Sequence, residues 1–406
     1  RAEKEKKEKR LKMKTKVGYS VKADSFESGV ETAKAATEGM TPKVGLLYTS
    51  VLNDQAQIMS GVKSVMNAPV VGCTSSGGII VPDGVVNAED HGFSGMMVLD
   101  DPDMTVGVAA SEAGKDAREI GRKVAIAALK DAGLMKVPNY FYMVASPKEE
   151  EDYLKGIQDV IGRVPFFGGS AADDTVEGKW SIFCNDQVFS DGVAVVFFYT
   201  NKEFFTEYTG AYRETQNVGI VTGVRNNRTL VSIDGVSSLT KYAEWIGTTP
   251  DKLKGSELLG ASICHPLGVK DPLGSLTIIR HPMFGDDMGT KTFDDDVINL
   301  GNKVVENTAI MQLEATVDEL INSTGDAMKV VNKEMTQEAA GYFLVHCGGR
   351  KLGIGDRINE VHEQLVKEAN GVPFITIFTF GEYGYHDHSA NACGGLMLSF
   401  TGIGKE

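Results

Sequence analysis

No apolar run in these 406 residues is longer than seven, the stretch 193–199. A helix needs about 20 such residues to cross a bilayer, which excludes helical membrane insertion. Cysteine is scarce too. The five are Cys73, Cys184, Cys264, Cys347 and Cys393, widely spaced and without a C-x-x-C pair. An odd, scattered set reads as reduced thiols in a cytoplasmic protein, not as a disulfide scaffold or a zinc ribbon. Twelve prolines against 46 glycines, with no G-X-Y period, exclude collagen and low-complexity sequence.

What is present is an ordinary globular composition, 42% hydrophobic and 24% charged, long enough for two or three domains. The net charge of −14 conceals a split. Residues 1–16 carry nine basic and three acidic side chains, which leaves the body near −20. So acidic a body repels phosphate backbones, and general nucleic-acid binding is excluded. The basic head has neither an apolar stripe nor an h-region, so it reads as a solvated extension rather than a signal peptide.

Self-similarity is the strongest pattern. IMSGVKSVMNAPVVGCTSSGG, YLKGIQDVIGRVPFFGGSAADD and VHEQLVKEANGVPFITIFTFGEYG each run from a helical stretch through Pro and apolar residues into a Gly-rich turn. A second apolar run opens on glycine 26 residues after Pro69, 27 after Pro165 and 21 after Pro373. Upstream helical patterns lie near 25–39, 111–133 and 314–335. Short strand-like runs precede them: VGYS, TVGVAAS and AIMQLEA. These patterns predict an α/β (mixed α+β) fold of repeated β-α-β-α-β-β units whose mixed sheets are covered by helices. The spacing also predicts a β-rich inserted module over 201–305. The expected organisation is a charged extension at 1–16, two units over 17–200, and a second half over 201–406 ending in a third unit at 306–406.

Ligands of open α/β sheets bind beyond the carboxyl ends of strands, where the three Gly-rich turns lie. The first turn offers Cys73, Thr74 and Ser75 among small residues that let a backbone approach a ligand or simply allow a tight turn. The second offers Gly169 and Asp173, the acid suited to an ammonium group or to capping its own loop. Near the C-terminus, Arg350 follows HCGG, Glu382 stands between Gly381 and Tyr383, and Asn391 precedes the last strand. An Arg grips a carboxylate and a Glu holds an ammonium, a set fit for a zwitterion or for a buried structural pair. Six of the seven histidines follow residue 264, but none has the spacing of a known zinc motif, so no metal or other cofactor is expected.

Several of these blocks, HCGGRKLGIGDRINEVHEQL, VPFITIFTFGEYGYHDHSAN, HPLGV, IIR, VSIDGV, PVVGCTSSGGI and PFFGGSAADD, resemble the FIST family over about residues 14–403. That resemblance implies a sensory input module of signalling proteins, with a FIST N and a FIST C half, that binds small ligands such as amino acids. On matching positions it points to Cys347, Arg350, Gly381, Glu382 and Asn391, with Cys73 and Asp173 from the N-terminal half. The loop HDHSANACGG departs from the His-Asn-x-Thr type expected there, which weakens Asn391. No kinase, chemotaxis, cyclase or F-box segment stands beside the module in these residues. The expected function is therefore a stand-alone ligand-binding sensor that signals to a separate partner, with homo-oligomers possible. The alternatives are a thiol or acid/base enzyme using Cys347 or Cys73, and a scaffold subunit.

Overall fold

The computed structural model describes residues 12–271, 276–286, 296–386 and 389–406. Most of the basic head, and Asp387 and His388 of the HDHSANACGG loop, lie outside them. The fold is α/β, with mixed sheets covered by helices. Asp24, Asp54 and Asp116 each open a helix by accepting a backbone N–H, and Thr316 with Glu319 forms a full capping box. These bonds satisfy amides that the first turn leaves without partners.

Three six-stranded sheets share one strand order. The first runs Lys14–Ser20, Ser94–Asp100, Val44–Thr49, Val70–Thr74, then the hairpin Ile182–Cys184 and Gln187–Phe189. The second runs Thr105–Glu112, Gly192–Tyr199, Tyr140–Ala145, Phe166–Ser170, then the hairpin Glu382–Gly384 and Ala392–Gly394. The third runs Phe204–Thr209, Leu398–Gly404, Ala339–Cys347, Phe374–Thr379, then the hairpin Ile79–Val81 and Gly84–Val86. Each sheet is thus completed by a hairpin from a different part of the chain. The first unit lends to the third, the second to the first, and the third to the second. The exchange closes a ring.

Both faces of these sheets are covered, which explains strands such as Val44–Thr49 that are buried at every position. Side chains alternate: Leu46 and Tyr48 turn to a shared central core, while Leu47 turns to the helices. The central core gathers Tyr48, Val71, Cys73, Tyr142, Phe167, Phe343 and Ile377 from all three sheets. Helices Ser25–Thr37 and Gln55–Val65 cover the first sheet, Ala117–Ala132 and Glu150–Ile161 the second, Val317–Glu334 and Ile358–Ala369 the third.

A fourth, β-rich block hangs between Thr209 and Val317. Its strands include Arg213–Arg225, Thr229–Ile233, Leu267–Lys270, Thr277–Arg280, Pro282–Gly285, Ile298–Leu300 and Ala309–Glu314 around their own core. Two expectations shift here. AIMQLEA pairs within this block, with Arg213–Arg225 and Leu267–Lys270, and does not open the third unit. That role falls to Phe204–Thr209, which pairs with the last strand before the insertion begins. GGLMLSF likewise divides between the end of a hairpin and the final strand.

Candidate functional site

The three Gly-rich turns do meet, and backbone bonds seal them. Ser76 N donates to Phe378 O at 3.0 Å, Ala172 N to Thr74 O at 3.1 Å, and Phe380 N to Ser170 O at 3.3 Å. Each bond joins a residue just past the end of one strand to the last or next-to-last residue of another. Lys351 Nζ adds bonds to Ser76 O and Gly77 O. The glycines serve this closure. A Cβ on Gly72 would stand 1.7 Å from the Leu47 carbonyl oxygen, and one on Gly168, at φ +138°, 1.9 Å from that of Met143.

The N-terminal candidates are consumed by the same closure. Ser75 Oγ donates to Gly78 O and accepts from Phe378 N, and Thr74 Oγ1 accepts from Ser181 N. Asp173 accepts four backbone N–H groups of its own loop, from Thr175, Val176, Glu177 and Lys179. Cys73 is buried in the central core, where burial pushes its thiol far up. No thiolate forms there at neutral pH.

Arg350 is also wholly buried, but it does not pair with Glu382. Its guanidinium donates to Gly210 O, Leu396 O, Leu320 O and Ser323 Oγ, with Tyr212 at 5.6 Å from ring centre. It fastens four pieces of chain and has no carboxylate to grip. Asn391 donates to Val164 O, which ties the hairpin loop to the second unit.

The remaining candidates converge on a seam. There the second unit, the third unit and the inserted block touch. Glu382 heads the exchanged hairpin and pairs in register with Gly169 on one side and Gly394 on the other. Its carboxylate accepts from Thr379 Oγ1 at 2.8 Å and Met397 N at 2.9 Å. Burial nevertheless outweighs these bonds and lifts its pKa to about 8. Cys347 neighbours it, and its Sγ accepts from Gly349 N while burial drives the thiol up. The thiol-enzyme reading therefore lacks a nucleophile at both of its proposed positions. Gly381 lies against Ser170 and the Glu150 carboxylate.

The other wall comes from residues the sequence reading did not select. Arg280 donates to Cys393 O, and Arg228 reaches Lys148 O, Gly301 O, Glu150 and Glu151. Burial raises Glu150 to about 7 despite Arg228 beside it. Lys303 reaches Glu149 and Asp152 on the same helix start. His281 and Asn302 stand against Gly395, the first by its Cβ and the second by its Oδ1. Arg280 fell within the quoted IIR block and His281 within the late histidines. Nothing in the sequence marked Asn302. Among the described residues no group of three or more His, Cys, Asp or Glu stands ready to hold a metal.

A ring of exchanged mixed sheets with a polar seam under an inserted block defines an α/β module of two unequal halves. A FIST N domain matches residues 43–236 and a FIST C domain residues 238–385. The chain belongs to the FIST family, a family of sensory signal-transduction modules. No curated protein matches it. Among solved structures it is similar to Thermotoga maritima PurL complexed with ADP, at 8% identity and a TM-score of 0.22, over 97% of this chain and 72% of that one. PurLQS from the same organism gives 9% identity and a TM-score of 0.21, with the same coverage. Scores this low carry no argument about fold or function. No described helix is long and apolar enough to cross a membrane.

Proposed function

We propose that this chain is a sensor that takes a small zwitterionic ligand, an amino acid or a relative, into the seam and reports occupancy to a separate partner protein. The observation that carries the reading is Glu382. A wholly buried carboxyl with its pKa raised to about 8 sits where the third unit's hairpin crosses into the second sheet, beside the inserted block. Empty, it holds a proton at neutral pH. An ammonium group placed beside it would favour the carboxylate and expel that proton. A ligand there would touch three blocks at once, so a closed arrangement binds it better than an open one, and that difference is the signal. Arg350 serves by fixing the third unit's wall. The free thiols suit a reducing, cytoplasmic setting.

Calorimetric titration of the full chain with a panel of amino acids, repeated in buffers of different ionisation heat, tests this. Binding with proton release at pH 7, lost in Glu382→Gln, is the expected result. Binding unchanged in Glu382→Gln, or no binding by any zwitterion, would defeat the reading.

A further inference from the structure

Away from the seam, the three units repeat one further arrangement, an edge strand beside the unit's first helix. Gly45, Phe141 and Tyr342 each donate to the proline of their unit and so mark equivalent positions. Followed across the sheets by register, they lead to Lys16, Gly107 and Phe205 on the three edge strands, and two residues on to Gly18, Ala109 and Glu207. In the first unit the strand lies directly on the helix, where a Cβ on Gly18 would stand 2.4 Å from Thr32 O. In the second a cleft of about 630 Å³ opens, but its strand offers only Val108, Ala109 and Ala110, and Asp131 of the helix already accepts from Val108 N. In the third unit the same position carries a carboxyl group.

Glu207 and Thr209 stand two apart on the strand and so share a face. Both line a cavity of about 440 Å³ against helix Val317–Glu334, with Ser323, Asp326 and Ala327 opposite. Both also line an adjoining cavity of about 310 Å³ beneath the inserted block, with Tyr212, Ile279 and His386. The strand end is held in place, since Arg350 donates to Gly210 O and Ala211, at φ +55°, donates to Thr209 Oγ1. The other acids along these walls are paired: Glu214 with Lys270 and Thr277, Glu319 with Arg213, Asp326 with Lys329. Among the described residues Glu207 makes no hydrogen bond or ion pair. Burial raises its pKa above the usual carboxylate value; His386 acts against the rise and Glu334 adds to it. An ammonium group beside it would act as His386 does, at closer range.

We infer that the cleft at Glu207 is a binding site for the ammonium group of a small primary amine. An ammonium has N–H bonds to spare for the Glu207 carboxylate and for Thr209 Oγ1, which accepts from Ala211 N and keeps a second lone pair. No Lys or Arg lines either cavity among the described residues, so nothing there receives a carboxylate, and simple amines are selected over amino acids. A metal ion is the poorer fit, because no group of three acidic, histidine or cysteine side chains converges among the described residues. The site goes beyond the sensor reading and stands without it, since Glu382 and the seam contribute no group to it.

The test is calorimetric titration of the full chain at neutral pH with butylamine, 1-butanol and butyrate, in the wild type, Glu207→Gln, Asn322→Lys and Glu382→Gln. Glu207→Gln keeps the side chain's shape and breaks no bond, so its thermal midpoint without ligand should not fall. Asn322 is exposed on the helix side of the cleft, and a lysine there supplies an ammonium of its own. Saturable binding of butylamine alone, weakened about tenfold or more in Glu207→Gln and in Asn322→Lys and unchanged in Glu382→Gln, is the expected result. Butylamine affinity unchanged in Glu207→Gln, equal binding of 1-butanol, or no saturable binding of butylamine would each overturn the site. Binding lost in Glu382→Gln but kept in Glu207→Gln would move the amine to the seam and overturn it too. If Glu207→Gln fails to fold, Asn322→Lys decides alone: unchanged affinity there overturns the site.

Discussion

The ring and the seam use polar groups in opposite ways. At the ring the polar candidates are spent, Asp173 on four amides and Ser75 on two partners, and the core Tyr48 hydroxyl bonds Tyr142 at 2.7 Å. At the seam buried polar atoms stand unpaired, at His281 and Asn302. Carboxyl groups also sit there under strong desolvation, with Glu150 near 7 and Glu382 near 8. A satisfied network rigidifies, whereas an unsatisfied one is either a cost or a place held for something else. The same small, glycine-rich texture therefore means closure in one place and access in the other.

The largest effect should come from crowding the ring. Gly168→Val would drive a side chain into the Met143 carbonyl at a φ of +138°, and should cost more than about 4 kcal/mol. Urea unfolding or loss of soluble protein reads this, and a wild-type midpoint would refute the closure argument. Next is Arg350→Met, which strips three carbonyls and Ser323 of their buried donor. The loss should be about 3 kcal/mol or more, seen before any ligand is added. A variant as stable as the parent would return Arg350 to the list of ligand contacts.

The pH dependence of stability separates the regions more gently. Folded Glu382 keeps its proton to about 8, while the unfolded group releases it near 4.5. Between those values the native state binds the extra proton, so the stability this group contributes is fullest below pH 4.5 and falls as pH rises towards 8. Glu150, with its pKa near 7, adds to the same slope over the lower part of that window. His281 and His346, which burial keeps neutral, give the opposite slope below the ordinary imidazole value of 6.5. Denaturation midpoints should therefore decline from about pH 6.5 to 8, and Glu382→Gln should flatten but not abolish that decline. An unchanged slope would place the coupled group elsewhere. Smallest is the order of thiol labelling. Half-buried Cys264 should react first and Cys73, in the ring core, last. Ligand should slow Cys347 and Cys393 without changing Cys73.

The helices and the central strands were legible because their signals are local. The helical patterns near 25–39, 111–133 and 314–335 contain the helices Ser25–Thr37, Ala117–Ala132 and Val317–Glu334, and the Pro–Gly offsets mark the strand before each turn. Pro69, Pro165 and Pro373 each accept from the adjoining strand, at Gly45, Phe141 and Tyr342. The exchange of hairpins was not legible, because Glu382 pairing with Gly169 joins residues more than 200 apart and depends on no local pattern. AIMQLEA was placed in the wrong sheet for a related reason. A short buried strand carries no sign of which edge it will join, and the insertion moved the true first strand, Phe204–Thr209, over 100 residues upstream of its helix. Of the site, Glu382 was found through its flanking glycines and Cys347 through the FIST resemblance. Asn302 was not, since its meaning lies in the partners it lacks.

Backbone hydrogen exchange of the full chain with and without a bound amino acid tests the contrast most directly. Amides at Gly301, Gly395 and Met397, whose bonds border the seam, should gain protection on binding, while Ser76, Ala172 and Phe380 at the ring should not change. Protection gained at the ring amides and not at the seam would contradict the account.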